Sequence, residues 1–547
     1  MSRNRVLVVC AAIAVALLTA AWRFLTFTGF NNDHYIYLAG AQQIVFGEWP
    51  IRDFVDPGWP LMYGVSAVAR SLFGRELWVE LLVVANALAI GAGFTLAAAA
   101  RLSGSIALAL MVTLLEIGIN PRSFGYPKIL LYAIASWAFV VTTRHMTHRR
   151  AVLLAALTVV AFLFRHDHGL YIGAGSFVAV VLGTSREGTQ ASLKRAAIFI
   201  AAVLLFVLPW VIFVQYEVGL IDYLKPALEF SRAEAEGTVL RSLPRLDLSG
   251  GAVADQVNWE VWLFYLFYAM PLASLWLAWR RARDGREQWS GESAGVAAIA
   301  LMTIAMNMGF IRTPLAARLP DASVPAAILG AWLIGVAFDV RATTKRRVAL
   351  TVAAAMFVLT AKAVSVVADV PGELNRAGIL NRPGAVSERI DDLTKRLQQT
   401  MPQGSHVPSR NSEALLPFYA YVERCTSPRD RLVMTGLQPD VFVLANRGFA
   451  GGQMAYRPAF YASEKDQRKA IARMQAQSVP LVIVALEEED GFRRALPLVA
   501  AYVDQHYEPL AKIPVPDTKG LQIYIERGRR AADLDAATGW PCVSRSS

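Results

Sequence analysis

Cysteine and charge are the two scarcities of this 547-residue chain. Three cysteines, Cys10, Cys425 and Cys542, permit no more than one disulfide. Cys10 falls in the first apolar run and belongs in lipid or protein interior. Cys425 and Cys542 lie in the C-terminal third, where export would let them pair and retention would leave two free thiols. Charged residues make up only 18% of the chain against 55% hydrophobic, with a mean hydropathy of +0.38. A soluble protein of this length would expose too much apolar surface, so the composition excludes that class and indicates a multi-span membrane protein. The net charge of +11 is not a nucleic-acid signature, because no basic cluster is interleaved with base-stacking aromatics. In a membrane protein such an excess marks cytoplasmic loops. No internal repeat is visible.

What the sequence does have is long apolar runs. A bilayer core of roughly 30 Å takes about 20 apolar residues in a helix. Candidate spans cover 6–27, 77–100, 103–119, 127–143, 151–164, 169–184, 196–216, 259–279, 294–311, 322–340 and 348–368. Residues 60–73 form a shorter apolar helix that abuts the first loop, since Arg70 and its length argue against a span. The length of the first run, with Trp22 and Phe24 at its end, favours an uncleaved anchor over a signal peptide.

The basic residues orient these spans. With Arg3 and Arg5 in the cytoplasm, alternate loops carry Arg101, then Arg144, Arg149 and Arg150, then Arg186, Lys194 and Arg195. The next two carry Arg280, Arg281, Arg283 and Arg286, and then Arg341, Lys345, Arg346 and Arg347. Every cluster lands on one side, as the positive-inside rule requires. About eleven spans therefore put the C-terminus outside. From about 370 the apolar runs shorten to strand length: 432–436, 480–487 and 521–526 read as strands, with amphipathic helices at 464–478 and 490–506. The expected fold is an α-helical polytopic membrane protein with a smaller C-terminal α/β extracytoplasmic domain. Its division is 1–370, including a first outer loop at 28–76, and 371–547. Residues 371–384 read as a linker, and 528–547 as a weakly ordered tail.

Four polar patches fall on the outer side. The first is the opening loop, NNDHYIYLAGAQQIVFGEWPIRDFVDPGWPLMY (31–63), with Asp33, His34, Asp53 and Asp56. The second runs from Glu116 to Lys128 and includes Arg122. The third is Arg165-His166-Asp167-His168, and the fourth carries Arg312, Arg318 and Asp321. Charges at helix ends in a membrane cost free energy, so four such patches point to a shared outer cavity. Arginine forks suit a phosphate or diphosphate, and a carboxylate can take the proton of an attacking hydroxyl. A cationic pocket beside a carboxylate therefore suits glycosyl transfer from a lipid phosphate.

Plainer roles compete for each residue. Asp33 can cap a helix over 34–46. Asp53 and Asp56 can be turn residues around Pro57-Gly58, the stronger reading for Asp56. Arg165 and Asp167 can close a tight hairpin as an interfacial ion pair, and Arg312 and Arg318 can snorkel to headgroups. Asp33, His34, His166, Asp167 and His168 are metal-ligating types, but no spacing here matches a strong metal motif, so no metal or other cofactor is expected.

Asp33 just after the first span, GEWPIRDF (47–54), DPGWPLMY (56–63) and FRHDHG (164–169) together resemble the polytopic C-type glycosyltransferases, which include the protein O-mannosyltransferases and the aminoarabinose transferases of lipid A. The likeness in topology extends over nearly the whole chain. It implies a multi-pass inner-membrane enzyme using a polyprenyl-phosphate sugar, with a lipid, glycan or protein acceptor on the periplasmic or extracellular side. It also implies Asp33 as the catalytic base. His34, Asp53, Glu116, Arg122, Lys128, Arg165, His166, Asp167, Arg312 and Arg318 are the substrate-binding candidates. Two departures stand out. Relatives often carry an acid where this chain has His34, and the aminoarabinose transferases carry a lysine before the Pro-Leu that here is Pro60-Leu61, preceded by Gly58-Trp59. Arg165 or Arg312 then takes over the phosphate. A lipid or sugar transporter or flippase is the alternative, although transporters place polar residues near the midplane within repeated halves. A non-catalytic assembly protein is the third reading.

Overall fold

The computed structural model describes residues 3–119, 121–237, 244–247, 252–283, 289, 291–311, 318–340, 343–398, 414–458 and 461–543. Arg312 lies outside the described residues. In chain order the first helices are α1 (Arg3–Leu25), α2 (Asn32–Val45), α3 (Pro60–Phe73), α4 (Leu77–Ser103), α5 (Ile106–Gly118), α6 (Tyr126–Thr142) and α7 (His148–Phe164). Then come α8 (His166–Thr184), α9 (Thr189–Glu217), α10 (Leu220–Gly237), α11 (Ala252–Arg283), α12 (Glu292–Ile311), α13 (Leu319–Phe338), α14 (Thr343–Val367), α15 (Val370–Arg376) and α16 (Ala385–Gln398). The residues group into two compact units. One comprises Met1–Phe27, Leu82–Val211 and Gly237–Ile390, the other Thr28–Leu81, Ile212–Glu236 and Asp391–Ser547.

The first unit is all helix. Each of the eleven apolar segments forms one, because a helix satisfies every backbone polar group within the segment. Among the described residues, eight are long and apolar enough to cross a membrane: α1, α4, α6, α8, α9, α11, α13 and α14. The remaining three fall short of that measure, two as shorter apolar helices, Ile106–Gly118 and Glu292–Met308, and α7 with His148, Arg149 and Arg150 in its first turn. Helix α8 packs on α7 and α12, and α13 packs on α5, α6, α11, α12 and α14. Close approach depends on glycine. A Cβ at Gly169 of α8 would stand 2.3 Å from Phe162 Cα of α7, and one at Gly175 would stand 2.9 Å from Met302 of α12. Without a hydrophobic drive between helices in lipid, such small residues are what let backbones approach.

The second unit is α/β. Its further helices are α17 (Leu416–Cys425), α18 (Asp440–Leu444), α19 (Glu464–Gln475), α20 (Glu489–Ala495) and α21 (Pro497–His506). Its strands are β1 (Arg431–Met434), β2 (Gly448–Phe449), β3 (Leu481–Ala485), β4 (Tyr507–Ile513), β5 (Leu521–Glu526), β6 (Arg530–Leu534) and β7 (Pro541–Val543). Five form one sheet in the order β2-β1-β3-β5-β4. Strands β2, β1 and β3 run parallel, and β5 lies antiparallel to β3 and β4. The central β3 is buried at every residue, as its unbroken apolar sequence requires, whereas β5 alternates buried and half-buried. Val433, Val482 and Val484 of the sheet pack with Ala470, Met474, Phe492 and Val499 of the helices.

The first loop is built into this second unit by side-chain amides. Asn32 donates to the Leu437 carbonyl (2.6 Å), Gln42 to those of Phe442 and Arg447 (2.9 Å each) and Gln43 to that of Phe449 (3.0 Å). The Val55 N–H donates to the Gly452 carbonyl (2.9 Å). Buried amides demand such partners, so helix α2 and the sheet are fastened together by polar contacts as well as by packing.

Three local expectations change. The helix expected over 490–506 is two, because Leu496 before Pro497 leaves the helical region at φ −127° and ψ 56°, where the proline ring disfavours it. Residues 371–384 are not plain linker, since α15 occupies their first half with Asp369 capping the Gly372 N–H. Over its described residues, 528–543, the tail is structured: β6 and β7 pair antiparallel, and Cys542 is bonded to Cys425 at the end of α17 with a Cα–Cα separation of 4.6 Å.

Candidate functional site

In the second unit Asn31, not Asp33, caps α2: its side chain accepts the His34 N–H at 3.1 Å. Asp33 sits in the first turn, half-buried. Among the described residues its carboxylate has no hydrogen bond or ion pair, so it is relieved of the capping role its position allows. His34 is fully buried. Its Nε2 pairs with Glu80 Oε1 at 2.9 Å, its ring stacks on Phe30 at 4.4 Å, and Ser66 Oγ donates to the same Glu80 oxygen at 3.0 Å. His34 therefore anchors the start of α2, the element that carries Asp33, to α3 and the start of α4.

The other loop acids are occupied. Asp53 accepts the Trp49 N–H at 2.8 Å and a fork from Arg52. Asp56 is buried and accepts the N–H groups of Gly58 (3.1 Å) and Trp59 (2.8 Å), the turn role read from Pro57-Gly58, and also the hydroxyl of Tyr223 on α10 (3.0 Å). Burial and the adjacent Asp56 charge push the Tyr223 hydroxyl well above its ordinary pKa, so it remains a donor at all physiological pH.

In the first unit a charged cluster forms where α6, α8 and α13 begin. Lys128 Nζ donates to Asp321 Oδ2 at 2.6 Å, and both side chains are over nine-tenths buried. Arg165 ends α7 in an extended conformation and leads into α8. Its guanidinium makes two bonds to Asp167, at 3.0 and 2.9 Å. His168 bonds the Tyr132 hydroxyl through Nδ1. Lys128 interacts electrostatically with Arg165 and Asp167 as well as Asp321, and His168 interacts with Arg318. Patches 193 residues apart are thus one cluster.

The remaining candidates have other surroundings. Arg122 is exposed just before the short turn Ser123–Gly125. His166 stacks on Phe162 at 4.0 Å, meets Trp210 edge-on, and hydrogen-bonds the Phe162 carbonyl. Glu116 is buried on α5, where its charge faces Arg23 of α1. Among the described residues no three His, Cys, Asp or Glu side chains converge in a way that could hold a metal ion. Tyr132 was not among the sequence candidates, though its place four residues after Lys128 puts it on the same helix face. Glu80 was missed as well, although a lone acid at the head of an apolar helix is a readable signal.

The first unit also holds an apolar cavity of about 460 Å³ between α5, α11, α13 and α14. Leu115, Met270, Ala327, Ile334, Met356 and Phe357 contribute to its wall, and Glu116 is the one ionisable side chain among the described residues of the lining. It follows α13 from Ser323 to Ala337, about 21 Å of helix at 1.5 Å per residue. Asp321, which holds Lys128, precedes Ser323 by two residues.

Fold and site define a helical, multi-span membrane protein with a charged cluster where α6, α8 and α13 begin, an apolar cavity along α13, and an α/β unit fastened to its first loop. Among solved structures, it is similar to the crystal structure of ArnT from Cupriavidus metallidurans bound to undecaprenyl phosphate, with a TM-score of 0.47 and 16% sequence identity, covering 96% of this chain and 98% of that one. No protein-family model and no curated protein matches the sequence.

Proposed function

We propose that this protein is an inverting membrane glycosyltransferase that moves a sugar from a polyprenyl-phosphate donor to an acceptor hydroxyl on the extracytoplasmic side. The carrying observation is that the first unit holds both a buried charged cluster and an apolar cavity. In the cluster Lys128 and Arg165 offer N–H donors and positive charge, and from Ser323 onward α13 borders the apolar cavity. A phosphate needs the first and an isoprenoid chain the second. A soluble nucleotide-sugar donor has no use for the apolar part.

Asp33 supplies the base. Its carboxylate accepts the proton of the acceptor hydroxyl as that oxygen bonds to the anomeric carbon. The bond from that carbon to the phosphate oxygen breaks, its electron pair goes to the phosphate, and polyprenyl phosphate departs. The Cys425–Cys542 disulfide supports an oxidising compartment for the second unit, and the first loop with Asp33 belongs to that same unit.

The test is Asp33→Asn in membranes supplied with radiolabelled polyprenyl-phosphate sugars. General bases contribute about 10²–10⁴-fold, so transfer should fall at least about 100-fold while the protein stays folded and retains donor lipid. Undiminished transfer removes Asp33 from the chemistry.

A further inference from the structure

The second unit holds a cavity of about 370 Å³ that the transfer chemistry described so far does not use. Its wall comes from the loops that leave the carboxyl ends of the parallel strands β1 and β3, with Gly436 to Gln438 on one side and Ala485 to Glu488 on the other. Carboxyl ends of parallel strands are the usual place for ligands in α/β sheets, and the volume lies within the roughly 300–1,000 Å³ of small-molecule sites. The remaining wall includes Asn31 and Asn32, the cap and first residue of α2. Asp33 is the next residue.

The lining chemistry is one-sided. Three carboxylates, Asp440, Glu487 and Glu488, line it with one guanidinium, Arg457; Arg457 already pairs with Glu488 at 3.3 Å, and Asp440 accepts the Tyr419 hydroxyl at 3.0 Å. The Asn32 amide N–H is used on the Leu437 carbonyl. Gln438 Oε1 is shielded from solvent and has no hydrogen-bond partner among the described residues. A shielded acceptor without a donor is destabilising, and a ligand that donates hydrogen bonds relieves it. Acceptors outnumber donors, so hydroxyl groups fit, and the surplus negative charge repels phosphates and uronates.

We propose that this cavity binds the acceptor, a hydroxyl-rich and non-anionic saccharide, beside Asp33. This rests on the reading of Asp33 as the base. It also explains why the first loop is fastened to the C-terminal sheet: the group that activates the acceptor and the surface that recognises it move as one body.

The experiment is saturation-transfer NMR on the full-length protein in nanodiscs, with methyl glucoside, mannoside, galactoside, arabinoside and glucosaminide as probes and methyl glucuronide as the anionic control. At least one non-anionic glycoside should give a signal at least fivefold stronger than the glucuronide. Gln438→Leu with Glu487→Arg should reduce it at least tenfold and raise the acceptor KM with donor retention unchanged. Glu487 is exposed and the Gln438 side-chain oxygen has no hydrogen-bond partner among the described residues, so the double variant should keep the wild-type melting profile. Asp33→Asn should lose transfer and keep the saccharide signal. No signal from any non-anionic glycoside, a signal unchanged in the double variant, or an equal response to the glucuronide overturns the proposal. If Asp33→Asn still transfers while the cavity variant loses the signal, the base assignment fails and the cavity stands.

Discussion

Replacing Lys128 by methionine removes one half of a pair whose other half, Asp321, is equally buried. Taking one partner from a buried pair costs about 3–5 kcal/mol, because the remaining charge has no compensation. Taking both and substituting apolar side chains of similar volume is often neutral or stabilising. Lys128→Met alone should therefore lower the melting temperature of the protein in nanodiscs, and Lys128→Met with Asp321→Leu should restore it. The donor phosphate should not be rescued. A hydrogen bond to a charged group is worth about 1.5–3 kcal/mol, and each 1.4 kcal/mol is tenfold in affinity, so retention of polyprenyl phosphate should fall about 10- to 150-fold in both variants. Thermal unfolding and binding of a labelled short-chain polyprenyl phosphate separate the two effects. If the stable double variant holds the donor as well as the wild type, the cluster at the head of α13 does not bind phosphate and the functional reading loses its main support.

Three further outcomes follow from the same geometry. Tyr223→Phe removes a hydroxyl from buried Asp56 and should destabilise the second unit by about 1–3 kcal/mol, read as a shifted denaturant midpoint. Cys425→Ser should free Cys542 for thiol labelling and cost about 2–5 kcal/mol, with proteolysis beginning in the β6–β7 tail. Hydrogen bonds from Arg424 and Thr538 hold the Asp535 carboxyl well below its ordinary range. Its folded pKa is depressed, so its stabilisation is fully present above the unfolded value of roughly 3.9 and is lost as pH falls through the lower folded value. Thermal stability of the second unit should decline below about pH 4, and Asp535→Asn should flatten that decline; an unaltered pH profile in the variant would refute the assignment.

Local features were legible because they are decided by neighbouring residues. The eleven apolar runs, the three central strands, the helix at 60–73 and the turn role of Asp56 follow from hydrophobic length, alternation and Pro-Gly chemistry. The helix break at Pro497 was equally local and was missed only because the apolar pattern continues through it. Partners were another matter. Nothing in the sequence pairs Lys128 with Asp321, His34 with Glu80, or Asn32 with the Leu437 carbonyl, because each bond joins positions that only folding brings together. The same holds for the cap of α2: Asn31 and Asp33 are both competent caps, and backbone geometry selects Asn31. By itself the sequence determined that this is a multi-span helical protein with charged helix ends and a C-terminal α/β region, since hydrophobic burial and backbone satisfaction act segment by segment. The tertiary structure decided which charges meet, which acid has no partner among the described residues, and where the cavities lie, because those depend on the packing of distant segments, which no local pattern encodes.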